Sequence, residues 1–82
     1  MWLKIRHMLT VMQSKMARAA LGWSMKDLAE RSGVSANTID RFENGRAAPI
    51  PANLKALRQA FEAAGVRFTE TGVEPPEAAN DR

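Results

Sequence analysis

The sequence predicts an all-α fold, with four helices over residues 12–65, a short C-terminal β-strand within residues 66–73 and a disordered acidic tail at 74–82. Three observations carry this reading. Each helical stretch closes on a glycine (Gly22, Gly33, Gly45 and Gly65), the residue that most readily takes the left-handed conformation of a helix end. Ser24 and Ser35 stand just ahead of the second and third stretches, where a hydroxyl accepts an orphan backbone N–H, and Pro51 stands where a fourth can start. Strand-like alternation begins only after Gly65, in Val66, Phe68 and Thr69–Thr71, and ends at Gly72.

The N-terminal extension, residues 1–11, admits two readings. As a helix, Trp2, Ile5, Leu9 and Met12 share a side; as a strand, Leu3, Ile5, Leu9 and Val11 alternate with Lys4, Arg6 and Thr10. It is also a candidate dimerising segment. Met8, Met12 and Met16 are in-frame methionines, which leaves the true start codon open. The first helix starts near Met12, with Met12, Met16, Ala19 and Ala20 at helical spacing and a strongly helix-forming Ala17–Leu21 run. Ser24 opens the second helix, Asp27 supplies a negative charge to its first turn, and Leu28 and Ala29 face inward before Gly33 stops it. In the third helix, Ala36–Asn44, Ile39 and Phe42 share one face, while Ala36, Asn37, Asp40, Arg41 and Asn44 share the other. Arg46–Ile50 is an exposed loop kept extended by Pro49 and Pro51. Leu54, Leu57, Phe61 and Ala64 then form the apolar stripe of a core-packed fourth helix.

A chain of 82 residues is one small domain with one modest core. It has no cysteine and a single histidine, His7, so disulfides, thiolate chemistry and multi-histidine metal sites are excluded. The net charge of +3 is unevenly laid out. Residues 1–23 carry Lys4, Arg6, Lys15 and Arg18 and no acid, whereas residues 69–82 carry Glu70, Glu74, Glu77 and Asp81 against Arg82. A basic body of this kind favours polyanionic partners. No apolar run is long enough to span a membrane, and Lys4, Arg6 and His7 interrupt any signal-peptide core, so a cytoplasmic protein is expected. With no Gly-rich phosphate loop and no carboxylate pair in an evident pocket, an enzyme is not expected, nor is a cofactor, a metal or a small-molecule ligand.

Two short helices joined by a tight glycine turn, Met25–Ser32 and Ala36–Asn44, have the proportions of a helix-turn-helix. Ala29 is small where the second of these helices crosses, Gly33 tolerates the positive φ of the turn, and Ile39 plugs the angle between the helices. Leu28, Ala29, Gly33, Val34 and Ile39 meet these demands together, with Phe42 completing the helix-turn-helix core.

The run LGWSMKDLAERSGVSANTIDRFENGRAAP, Leu21 to Pro49, resembles the lambda-repressor-like, or xenobiotic-response-element class (Cro/CI-type), helix-turn-helix DNA-binding proteins. With the flanking helices the likeness spans about residues 12–65, and S-x-x-T-I-x-x-x-E-N-G is its most typical segment. The resemblance implies that Ala36–Asn44 is the recognition helix of the major groove. It implies base reading by Ala36, Asn37 and Arg41, phosphate binding by Ser24, Thr38, Asn44 and Arg46, and a structural ion pair between Arg18 and Glu43. Met25 stands where the family usually carries glutamine, and a strand near Val66–Thr71 replaces the family's fifth helix.

Blander readings stand beside these. Arg41 alone is a solvated charge on a helix face, Asp40 is an intrahelical partner of Arg41 or Asn44, and Trp23 packs at the end of the first helix. His7 is incidental, and Lys4 and Arg6 are a solvated face. The function expected is a sequence-specific transcriptional regulator, a homodimer on an inverted repeat in double-stranded DNA, because one helix offers too few base contacts to find a genomic site. Val66, Phe68 and Thr69, on an edge that needs a mate, are the candidate dimer contacts. The alternative is an antitoxin or similar module of a toxin-antitoxin or mobile-element system, which binds a protein partner (a toxin or another regulator) as well as its own promoter.

Overall fold

The computed structural model describes residues 9–70 and 72–76. Among the described residues four helices follow one another: α1 (Val11–Leu21), α2 (Met25–Ser32), α3 (Ala36–Glu43) and α4 (Pro51–Ala63). Two short strands, β1 (Arg67–Phe68) and β2 (Val73–Glu74), follow among the described residues as an antiparallel pair with Arg67 opposite Glu74 and Phe68 opposite Val73. No helix among the described residues is long and apolar enough to cross a membrane.

Local chemistry fixes the helix ends. Thr10 and Ser24 each form a reciprocal capping box, Thr10 with Gln13 and Ser24 with Asp27. Ser35 caps α3 through its hydroxyl, which accepts the Thr38 N–H at 3.1 Å. Gly65 follows α4 at φ 99°, and a Cβ on it would lie 3.1 Å from Cβ of Pro76, so both the backbone conformation and the close approach require glycine.

The core is a single cluster. Leu28, Ile39, Leu57 and Phe61 are fully enclosed, with Leu9, Ala17, Val34, Phe42, Ala60 and Val66 around them. Trp23 stacks on Phe61 with ring centroids 5.8 Å apart, and Phe68 meets Phe61 edge-on at 6.0 Å. Trp23 therefore closes the end of α1 over the core, and the Arg31 guanidinium covers its ring at 4.6 Å.

Two sequence expectations are corrected. The strand expected as one unpaired edge is half of a hairpin: residues 67–68 pair with 73–74 of the same chain, so its first mate is intramolecular. Val66 lies in the core and Phe68 packs against Phe61; of the three dimer candidates only Thr69 is fully at the surface. The tail expected to be disordered over 74–82 is structured at its start, where Glu74 belongs to β2 and the half-buried Pro75 and Pro76 follow it into the fold. Residues 77–82, like residues 1–8 of the extension, lie outside the described residues.

The spacing in α1 left its buried face open. Its buried face is Gln13, Ser14 and Ala17, and the stripe of Met12, Met16, Ala19 and Ala20 points outward. The reason is tertiary. The Gln13 side-chain amide donates to the Thr69 carbonyl at 2.8 Å and tethers the hairpin, while the Ser14 hydroxyl donates to Glu43 at 2.6 Å. Two polar side chains go inside because partners far along the chain satisfy them there.

Candidate functional site

Helix α3 is held from three sides. At its start, the αL turn at Gly33 (φ 80°) lets α2 end abruptly, and the Gly33 N–H donates back to the Ala29 carbonyl at 2.9 Å. Beneath it, Ile39 and Phe42 are buried against the core that Leu28, Val34 and the half-buried Ala29 complete. At its end, Asn44 takes the cap position. The Gly45 N–H bonds the Phe42 carbonyl at 3.1 Å, and the Arg46 N–H bonds the Arg41 carbonyl at 2.8 Å, a Schellman pair that fixes the following loop.

The last turn of α3 is anchored to α1 by a buried carboxylate. Glu43 is enclosed, with a fully buried side chain. Its Oε1 accepts from Nη2 of Arg18 at 2.6 Å, and its Oε2 accepts from Nε of Arg18 at 3.0 Å and from Oγ of Ser14 at 2.6 Å. Arg18 also donates through Nη1 to the Trp23 carbonyl at 3.1 Å. The hydrogen bonds to Glu43 hold the Arg18 guanidinium above its already high pKa. The expected pair is thus brought together, and Ser14 is the member that sequence reading missed. It lies four residues before Arg18, so the two share a helix face, which was the available signal.

The opposite face of α3 is open. Ala36, Asn37, Asp40, Arg41 and Asn44 are all exposed, against a buried side of Ile39, Phe42 and Glu43. Neither Arg41 nor Arg46, also exposed, has an ion-pair partner among the described residues. Asp40 and Asn44 hold one another: the Asn44 side-chain amide donates to the Asp40 carboxylate at 2.7 Å and to the Asp40 carbonyl at 2.9 Å. The Asn44 N–H groups are therefore engaged along the helix, and its amide oxygen is the group left outward.

The remaining candidates are already engaged in capping. The Ser24 hydroxyl accepts the Asp27 N–H at 3.0 Å, and the Ser24 N–H donates to the Asp27 carboxylate at 2.9 Å. The Ser24 backbone N–H, with its hydroxyl second, holds the Asp27 carboxyl below the usual carboxylate range. The Thr38 hydroxyl accepts from the Ser35 hydroxyl at 2.9 Å. Met25 is half-buried and packs against the core. Among the described residues no three His, Cys, Asp or Glu side chains converge as a metal site. The open face presents the amides of Asn37 and Asn44, the Asp40 carboxylate, the Arg41 guanidinium with that of Arg46 beside it, and the Ala36 methyl, groups suited to hydrogen-bonded recognition.

The family model described as Helix-turn-helix matches residues 15–64, from the second turn of α1 to the residue that follows α4. No curated protein and no solved structure matches the chain.

Proposed function

The chain belongs to the lambda-repressor-like, Cro/CI-type helix-turn-helix family of DNA-binding regulators, and from that premise we propose that it reads a specific operator as a homodimer with α3 laid in the major groove. Asn37 pairs bidentately with an adenine, Arg41 with O6 and N7 of a guanine, and Ala36 touches a thymine methyl. Arg46, Ser24, Thr38 and Asn44 set the register on the phosphates. Two copies related by a two-fold axis read half-sites whose centres lie roughly 34 Å apart, so the operator is an inverted repeat.

The observation that supports this reading best is the division of α3 into a wholly buried side and a wholly open side, with the Arg41 guanidinium on the open one and without an ion-pair partner among the described residues. A cation that packing leaves unpaired, on a helix fixed at both ends, is suited to bidentate contact with a base edge.

The test is selection of a binding site from random duplexes, followed by footprinting and a salt series with two variants. Arg41→Ala is expected to cost about 1–3 kcal/mol and to relax preference at one base pair of each half-site. Arg46→Ala is expected to weaken all sequences alike and to lower the salt slope by about one unit for each phosphate that Arg46 neutralises. An Arg41→Ala chain with unchanged affinity and unchanged preference refutes the placement of α3.

A further inference from the structure

We infer that Asp40 is a specificity-determining residue of the reading face, and that each half-site of the operator presents a cytosine amine to its carboxylate. The inference rests on the placement of α3 in the major groove proposed above and names a base which that placement has to meet. Asp40 is exposed on α3 between Ala36 and Asn44, about one turn from each, on the same open face as Asn37 and Arg41. Its Oδ1 accepts from the Asn44 side-chain amide at 2.7 Å, and the same amide nitrogen donates to the Asp40 carbonyl at 2.9 Å. The carboxylate is therefore held to the helix by a short side chain, while its Oδ2 has no hydrogen-bond partner among the described residues. Nor does a cation pair with it there: the ion pairs among the described residues join Arg18 to Glu43, Arg58 to Glu62 and Arg67 to Glu74.

Helix stability does not account for an acid at this position. Asp40 lies in the last turn of an eight-residue helix, where the negative end of the macrodipole disfavours a carboxylate, and aspartate is a poor helix former. The Asn44 amide that holds it is neutral and leaves the charge in place. A local rule broken on a face kept clear of packing points to function. In the groove the same charge has to be answered. Phosphates line both walls, and a carboxylate that gives up water there without meeting a donor weakens binding.

The donor that answers it is set by chemistry. An ionised carboxylate accepts hydrogen bonds and donates none. In the major groove guanine shows two acceptors, N7 and O6, and thymine shows the O4 acceptor and a methyl. Adenine shows its N6 amine beside the N7 acceptor, which repels a carboxylate. Cytosine alone shows an amine, N4, with no acceptor next to it on the same base. Cytosine is therefore the base that Asp40 fits, and the others are rejected by an acceptor left facing an acceptor. Arg41, the next residue, works by the opposite chemistry, so the two favour G·C pairs, Arg41 through the guanine and Asp40 through the cytosine.

The experiment selects binding sites from random duplexes with the full parent chain, Asp40→Ala, Asp40→Asn and Arg41→Ala, after circular dichroism has shown that each variant keeps the parental helical spectrum. The parent is expected to select cytosine at one position of each half-site, and replacing that cytosine by another base should weaken binding roughly 5- to 100-fold. Asp40→Ala is expected to lose preference at that position alone. Asp40→Asn is expected to exchange cytosine for adenine there, because an amide both accepts from N6 and donates to N7. Asp40 variants that select the parental site with parental preference at every position overturn the proposal. So does an Asp40→Ala chain that binds all sequences more weakly by the same factor, the result of a purely structural role. If Arg41→Ala changes the selected site and the Asp40 variants do not, this inference fails and the placement of α3 stands; if none of the three changes it, the placement itself fails.

Discussion

Replacing Arg18 by alanine tests the anchor of the reading helix. The substitution leaves the Glu43 carboxylate enclosed, with the Ser14 hydroxyl as its remaining donor where three donors now bond it. Removing one partner of a buried pair costs about 3–5 kcal/mol, because the other charge stays desolvated. The Arg18 side chain is 20% exposed, so water reaches the vacated space and the lower end, about 3 kcal/mol, applies here. A domain of this size has about 4–12 kcal/mol of total stability, so the loss takes a large share of it. The melting temperature is expected to fall by roughly 12–24 °C. Urea denaturation followed by far-ultraviolet circular dichroism, with Trp23 fluorescence as a second probe, gives the free energy. The double replacement Arg18→Met with Glu43→Met removes both charges and is expected to recover most of the loss. A single-variant loss below about 1 kcal/mol, the range of an exposed ion pair, would refute the reasoning.

The other expectations concern the caps and the turn. Ser24→Ala is expected to cost about 0.5–2 kcal/mol by urea denaturation, since it removes the hydroxyl that accepts the Asp27 N–H. The Asp27 carboxyl is lowered in the folded chain, so its contribution is complete above the unfolded value of about 3.9 and disappears as pH falls through the depressed one. The stability gap between the parent and Asp27→Asn should therefore narrow only below about pH 4, and a gap independent of pH would contradict the cap. Gly33→Ala meets no atom within 4 Å, so its whole cost is that of holding alanine at φ 80°, about 1–2 kcal/mol; an unchanged denaturation midpoint would show that the turn relaxes. Gly33→Asn should cost less, because asparagine visits that region more readily.

Most of the helical frame was legible because its signals are local. A serine whose hydroxyl reaches a backbone N–H three residues on, and a glycine where the chain turns left-handed, act over one helical turn, and they mark the ends of α2 and α3 at Ser24, Gly33, Ser35 and Gly45. The face of α3 that stays open was legible for the same reason: Ile39 and Phe42 fix one side of a helix only eight residues long, and Ala36, Asn37, Asp40 and Arg41 fall opposite them. The Arg18–Glu43 pair followed from a resemblance and not from spacing, since nothing local links residues 25 apart.

By itself, then, the sequence determined where each helix starts and stops and which side of the reading helix is bare, because capping and periodicity are settled within a few residues. Only the tertiary structure decided which side of α1 goes inside. Its methionine stripe is the more apolar face, yet Gln13 and Ser14 are buried, because Ser14 finds Glu43 at a separation of 29 residues and Gln13 finds the hairpin at 56. The tertiary structure likewise gave residues 67–68 a mate within the chain. A polar side chain goes into a core when its hydrogen bonds are met there, and donors and acceptors so distant in sequence meet only after the chain has folded.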